Sequence, residues 1–496
     1  MPSSQLKIGA VLGYAEILLT TLIGLVLTPF IINSLGNSEY GLYTLIGSLV
    51  GYLSLMDLGL NNAIIRFVSN FRSRGDKDGE EKFLGTTLLI YGIISTVVVL
   101  LGLCVYFNLE SIFRNSLTAI ELSRAKTMFL ILVFNIAIVL PSNSFFAICS
   151  AYEEFIFSKG IRLLRIVLRT ATVYAILTYG GKAISLVIID TCYNVVLAFI
   201  TYLFTRERLH IRYNFSQRRF RDVRPIFSYS VWILLLTVIS QFQWQFGQIL
   251  LGITTDTTAV AVLSVGVMLG TYYGAFSGVL SGLFTPMAAR VVVAGEENSQ
   301  RVFEKLGRYN FAILMVVLLG FLFFGQDFIA LWLHDEVYKD AWLIALMIMV
   351  AYTIPLVQAF ANSILEIKGY VKYKFVVYFT FLFLGFVGGY FLIPQYAGVG
   401  IMGGITVGWI AAQVAMNFFF VLKLHLNLVS FFKQILCSSW ITIGGTIGVG
   451  LILNIYIDEL SWRAFVLKVV LFLIVYVALA FCFFFSTEER KRFLKK

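Results

Sequence analysis

Three arginines, Arg162, Arg165 and Arg169, sit within one apolar stretch of the sequence. Their spacing of i, i+3 and i+7 puts all three on one face of a helix. A guanidinium group grips phosphate oxygens through a planar, bidentate fork, so such a stripe suits a phosphate or pyrophosphate. Arg169 follows Lys159 by a helical run of about 15 Å. That places it near mid-membrane for a span beginning there, where a cation costs roughly 2.5–3.5 kcal/mol unless it meets a wet cavity or a partner. Arg169 is therefore expected to face a cavity and Arg162 to snorkel to the interface, with Arg165 between the two cases. Arg66 ends the run Asp57-Leu-Gly59-Leu-Asn61-Asn62-Ala-Ile-Ile-Arg66. It reads equally as a further phosphate contact or as a snorkelling side chain.

Three acids, Glu16, Asp57 and Asp190, also lie in apolar stretches. Each reads either as a site for a coupling cation or proton or as a charge partner of the arginines. Gln241, Gln245 and Gln248 share a helix face, with Trp244 beside them. Amides and an aromatic ring suit sugar hydroxyls and sugar faces; hydrogen bonding between helices is the competing reading. Other chemistry finds little support. Gly180-Gly181-Lys182 lacks the upstream glycine and the following Ser or Thr of a phosphate-binding loop. His210, His334 and His425 fall in loops or at span ends, and none pairs with a cysteine or second histidine at ligand spacing. No metal and no cofactor is expected. The five cysteines lie in apolar stretches without paired spacing and read as small core residues. The longest outer loop, Asn108 to Ser123, carries no clustered carboxylates, which favours transport over an enzyme.

The elements that must position these groups are membrane helices. Of 496 residues, 59% are hydrophobic and 13% charged, with a mean hydropathy of +0.87. A soluble domain has about 45–50% apolar and about 25% charged residues. Disorder, a secreted disulfide scaffold and a nucleic-acid module are excluded as main readings. The formal charge of +11 has another use, holding loops on the cytoplasmic side. A membrane helix needs about 20 apolar residues. Fourteen such stretches lie near 10–32, 41–67, 84–107, 126–150, 160–179, 183–204, 226–252, 259–288, 309–333, 341–365, 375–393, 399–422, 434–456 and 464–486. With both termini cytoplasmic, the great majority of the 38 Lys and Arg fall in inside loops. Met1 to Ala10 lacks the basic start and cleavage site of a signal peptide, so the first span is expected to stay as a helix.

Span 8 carries Gly266, Gly270, Gly274, Gly278 and Gly282, and span 12 carries Gly400, Gly404 and Gly408. A glycine every fourth residue lets two backbones approach closely, for static packing or for sliding. Pro29, Pro141, Pro286 and Pro355 sit within spans and are expected to bend them. Spans 1–2 and 7–8 share a Leu-Gly, a short polar turn and a Gly-spaced helix, a weak internal duplication. The expected organisation is an N-terminal bundle over 1–205, a basic cytoplasmic linker over 206–225, a second bundle over 226–424, and two accessory helices with a basic tail over 425–496. The linker arginines, running from Arg206 to Arg224, anchor topology, with attraction of anionic headgroups as the second reading.

Several stretches resemble one family. They are Leu35-Gly-Asn-Ser-Glu39-Tyr40-Gly41-Leu-Tyr43, Asp57 through Arg66, Leu331-Trp332-Leu with Ala341, Ile364-Leu365-Glu-Ile-Lys368-Gly369, and Pro394-Gln-Tyr396-Ala-Gly398-Val-Gly400. In this order, with fourteen spans, the chain resembles the Wzx-like polysaccharide flippases of the multidrug/oligosaccharidyl-lipid/polysaccharide (MOP) exporter superfamily. The resemblance implies an all-α polytopic membrane protein with two six-helix bundles around a central cavity and two C-terminal helices. It implies movement of an undecaprenyl-pyrophosphate-linked oligosaccharide from the cytoplasmic to the outer leaflet of a bacterial inner membrane by alternating access. The cavity is expected to be cation-lined, with Arg66, Arg165 and Arg169 on the pyrophosphate. The expected partners are that lipid-linked oligosaccharide, the bilayer, a polysaccharide polymerase and a chain-length regulator, with no nucleic acid. Relatives often carry an acid shortly before the Leu-Gly at 251–252; this chain has Gly247 and Gln248 there, so ion coupling by that acid does not carry over. The rivals are a cation-coupled drug exporter of the same superfamily, which would work through acids and aromatics, and a polysaccharide polymerase or ligase. The latter would depend on outer-loop residues such as Glu110, Arg114 or Asp335.

Overall fold

The computed structural model describes residues 3–215, 234–281, 284–293, 299–485 and 489–490. Among these there is no strand. The chain forms two compact units, Met1–Ala261 and Val262–Lys496. Of the described residues, eleven helical segments are long and apolar enough to cross a membrane. Three further facts bear on the difference from the fourteen expected spans. The segment Val371–Leu424 is two helices meeting at Ala397, a residue with φ 43° and ψ −121°. The helix Phe155–Thr178 carries too many arginines to pass as apolar. The described part of span 7, over 234–254, is interrupted by a π-helical turn at Phe242–Phe246. The chain is a multi-pass membrane protein.

In the first unit α1 (Ser3–Leu35), α2 (Asn37–Leu53), α3 (Leu60–Arg74), α4 (Lys77–Ile112), α5 (Ala119–Ala151), α6 (Phe155–Thr178) and α7 (Ala183–Glu207) follow one another. Short, well-capped turns join them. Gly36, at φ 84°, makes the one-residue turn from α1 to α2. Thr118 and Glu121 form a reciprocal capping box at the start of α5. The Asp76 side chain caps α4 by accepting from the Gly79 N–H at 2.8 Å. The polar surroundings of the first turn cluster at one end of the unit. Glu39 pairs with Arg124 at 3.1 Å and accepts the Ala183 N–H at 3.0 Å, while Glu121 accepts from Thr257 at 2.8 Å. This is the structural work of the Leu35–Tyr43 stretch, and Gly41 belongs to it: its Cα abuts the Thr257 carbonyl, leaving no room for a side chain.

Span 2 departs from a single helix. After Leu53 the chain passes through a 3-10 turn, Ser54–Asp57, and two left-handed residues, Leu58 and Gly59, before α3 begins. The break lies inside an uninterrupted apolar stretch, so hydropathy does not signal it. α5 packs against α2, α3, α4 and α7, and α6 packs between α1 and α7.

The second unit holds the rest of α9 (Thr257–Ser281), α10 (Phe284–Val293), α11 (Ser299–Leu333), α12 (Lys339–Val357), α13 (Ala359–Ile367), α14 (Val371–Leu424), α15 (Leu428–Tyr456) and α16 (Trp462–Leu479); the label α8 is kept for Gly247–Thr254 of the first unit. Its glycines are spent on packing. Side chains added at Gly266, Gly270 and Gly274 would run into Ile344, Ile348 and Tyr352 of α12, whereas Gly278 faces open space; Gly282 lies outside the described residues. Gly400, Gly404 and Gly408 meet the backbone of Phe381, Gly385, Gly389 and Leu392 across the Ala397 break. Both stripes are therefore close helix crossings. Polar side chains turn inward: Asn310 and Gln358 are fully buried, and Asn310 donates to Ser277 at 2.8 Å and to the Leu356 carbonyl at 2.6 Å. Large apolar side chains such as Phe199, Leu100 and Val429 turn outward. That is the distribution expected of a protein dissolved in lipid.

Candidate functional site

Helix α6 carries the arginine stripe, and the first unit builds a cavity on it. The cavity, of about 220 Å³, is lined by Glu16 of α1, Ser142, Asn143 and Phe146 of α5, Arg162 and Arg165 of α6, and Asn194 of α7. Pro141 lies one residue before this polar wall of α5.

The charges are arranged unequally. Arg169, one turn beyond Arg165, donates through both Nε and Nη2 to the Asp190 carboxylate, the second contact at 2.8 Å. Tyr43 of α2 lies within hydrogen-bonding reach of both partners. Lys159 pairs with Glu16 at 2.7 Å. Arg162 stacks its guanidinium 4.6 Å from the centre of the Phe146 ring. Arg165 has no equivalent: its Nε is buried and makes no hydrogen bond. Two of the four cations on this face are thus matched by carboxylates, one lies against an aromatic face, and one lines the cavity with its Nε buried and unbonded. A buried donor without a partner costs about 1–3 kcal/mol, and the penalty for a buried cation is larger. An anion in the cavity would offset the charge of Arg165.

The residues expected to act together are only partly gathered. Arg165 and Glu16 line the same cavity, and Arg169 and Asp190 form the ion pair beside it. Asp57 reaches this neighbourhood through Asn143. It accepts from the Tyr91 hydroxyl at 3.0 Å and from backbone N–H groups of Gly59 and Asn61. Asp57 ends the 3-10 turn where span 2 is broken. Arg66 stands exposed on α3 and does not line the cavity. The glutamine face of span 7 lies elsewhere in the unit, against α2. Gln248 is buried and accepts from Ser48, Gln241 and Gln245 flank Gly51, and Tyr52 donates to the Gln241 carbonyl at 3.3 Å. Trp244 is half-buried on the same segment. Asn143, Asn194 and Tyr43 were not foreseen; the two asparagines gave the same signal as the glutamines, an amide in an apolar span.

A family model described as "Polysaccharide biosynthesis protein" matches residues 10–294. No curated protein matches the chain. Among solved structures, the chain is similar to an inward-facing multidrug resistance MATE family transporter of the MOP superfamily, at 14% identity and a TM-score of 0.60, over 84% of this chain and 96% of that one. It is similar to the MATE transporter VcmN of Vibrio cholerae, at 15% identity and a TM-score of 0.59, over 85% of this chain and 97% of the other. A third is a MOP superfamily transporter of Pyrococcus furiosus described by the reverse polarity of its binding pocket, at 14% identity and a TM-score of 0.54, over 84% and 94%. At such identities the likeness establishes the fold. The family match covers more than half of the sequence, so this chain belongs to the family described as polysaccharide biosynthesis protein, and it has the fold of the MATE and MOP superfamily transporters to which it is similar.

Proposed function

We propose that the protein is a flippase that carries undecaprenyl-pyrophosphate-linked oligosaccharide units from the cytoplasmic to the outer leaflet of a bacterial inner membrane by alternating access. The observation that carries this reading is Arg165, a half-buried arginine whose Nε makes no hydrogen bond and which lines a cavity beside Arg162. Arginine binds the oxygens of a diphosphate bidentately, and Arg169, already clamped by Asp190, holds the positive potential of the stripe in place. A cavity of about 220 Å³ admits a diphosphate and not a sugar chain, so the oligosaccharide extends beyond it and the polyprenyl tail stays in lipid. The flipped units would pass to a polysaccharide polymerase and its chain-length regulator at the outer face. Glu16, paired with Lys159 in the resting arrangement, is the acid best placed to exchange partners when a diphosphate arrives.

The family description and the uncompensated cation both favour this over a drug exporter. The exporter reading draws on the likeness to multidrug MATE transporters and on the acids Glu16 and Asp57. The two are separated by Arg165→Ala in cells lacking the wild-type gene. Loss of surface glycan, with the variant still in the membrane and drug tolerance unchanged, supports the flippase; retained glycan with lost drug tolerance overturns it.

A further inference from the structure

A second cleft of the first unit, of about 710 Å³, opens at the end of α7 and takes no part in the arginine cavity. It is lined by Tyr202, Arg206, His210, Arg212, Tyr213 and Phe215. The wall beyond α7 is an extended segment fixed along its length. The Ile211 N–H donates to the Thr205 carbonyl at 3.1 Å and the Asn214 N–H to the Glu81 carbonyl of α4 at 3.1 Å. The Ile211 side chain is buried in the core of the unit, and Gly85 of α4 gives the Asn214 carbonyl room to approach. His210 turns the chain at φ 52°. Burial pushes the pKa of the Tyr213 hydroxyl above its ordinary range, so this group stays neutral. Among the described residues the charges lining the cleft are the cations Arg206 and Arg212, with His210; the adjacent acid Glu207 does not line it. Arg206 is oriented by donating to the Tyr202 hydroxyl at 3.2 Å.

The face of α7 that leads to this cleft is apolar and open. Val195, Phe199, Tyr202 and Arg206 follow at i, i+4, i+7 and i+11, one stripe along the helix. Phe199 is 61% exposed, and Val195, like Phe215 at the rim, is exposed as well. Cations that end an exposed aliphatic and aromatic stripe complement a molecule with an anionic head and a hydrocarbon tail. A free anion would need only the first half of that arrangement.

We infer that the α7 cleft binds one anionic phospholipid, its headgroup phosphate between Arg206 and Arg212 and an acyl chain along Val195 and Phe199. The assignment rests on the first unit alone and stands or falls independently of the transport reading. The test is native mass spectrometry of the full chain purified in detergent, with added phosphatidylglycerol, phosphatidylcholine or inorganic phosphate, and with R463Q as a control outside the cleft. The expected result is at least tenfold greater retention of phosphatidylglycerol than phosphatidylcholine by the wild type and R463Q. The preference should be lost in R206Q/R212Q, and millimolar inorganic phosphate should not displace the lipid. Equal retention of the two lipids by the wild type overturns the proposal, as does an unchanged preference in R206Q/R212Q. Displacement by inorganic phosphate replaces the lipid site with a free-anion site and overturns it too. The wild-type comparison decides by itself if the double variant fails to elute as a single species.

Discussion

Arg165 and Arg169 lie one turn apart on α6, yet removing them should have opposite thermodynamic consequences. Arg169→Ala strands Asp190, a carboxylate whose side chain is 19% exposed and otherwise held bidentately. Breaking a buried pair from one side costs about 3–5 kcal/mol. The remaining access to solvent puts this case at the lower end, about 3 kcal/mol, or more than a hundredfold in the folding equilibrium at roughly 1.4 kcal/mol per tenfold. Arg165→Ala strands nothing: it deletes the buried Nε that lacks a partner. The loss of stem packing opposes the relief of an unpaired donor, so the net change should stay within about 1 kcal/mol of zero. The double variant R169A/D190A should recover most of the loss of R169A, because the orphan charge is gone. Equilibrium unfolding in mixed micelles, read by helical circular dichroism, measures all three against the wild type. If R165A is as damaging as R169A, or if D190A fails to rescue R169A, the division into one structural and one ligand-seeking arginine is wrong.

Other substitutions test other parts of the fold. Gly270→Ala drives a methyl group into Ile348 and should cost about 1–3 kcal/mol, while Gly278→Ala, facing open space, should stay within about 0.5 kcal/mol; the same unfolding assay compares them. His425 ends α14 at φ 53°, a left-handed cap better suited to glycine, so His425→Gly should stabilise by about 0.5–1 kcal/mol in a thermal melt. Gln248→Leu should cost only about 1 kcal/mol and leave glycan export intact, because Ser48 retains the Thr44 carbonyl at 2.9 Å as an acceptor; lost export at normal protein levels would restore Gln248 as a sugar contact.

Much of the fold could be read from the sequence, because lipid requires each span to be long, apolar and helical. Period places Arg162, Arg165 and Arg169 on one face of α6, but Arg162, expected to snorkel, lines the cavity with Arg165, while Arg169, expected to face a cavity, is paired with Asp190. Spacing along one helix does not determine what stands opposite. The match of Arg169 to Asp190, and not to Asp57 or Glu16, depends on the register of α6 against α7. The break at Ser54–Gly59 was invisible for a related reason: Leu58 and Gly59 interrupt the backbone without interrupting hydropathy. Asp57 reads as an ion-coupling site or a charge partner of the arginines, because the Tyr91 hydroxyl that donates to it lies on another helix. The glutamine face reads either as a sugar contact or as hydrogen bonding between helices, because sequence does not distinguish a side chain facing a cavity from one facing a neighbouring helix; Gln248 bonds to Ser48.

The central claim is that Arg165 works in moving a lipid-linked glycan across the membrane. The most direct measurement is glycosidase protection of lipid-linked oligosaccharide in intact spheroplasts, with extracted lipids analysed by mass spectrometry. It compares a deletion strain, the strain complemented with wild type, and the strain complemented with Arg165→Ala. The account predicts that the deletion and Arg165→Ala strains accumulate the undecaprenyl-pyrophosphate oligosaccharide in a form the enzyme cannot reach, and that wild type restores access. Accumulated lipid that the glycosidase digests would put the block after flipping, and an unchanged lipid profile in the deletion strain would contradict the account outright.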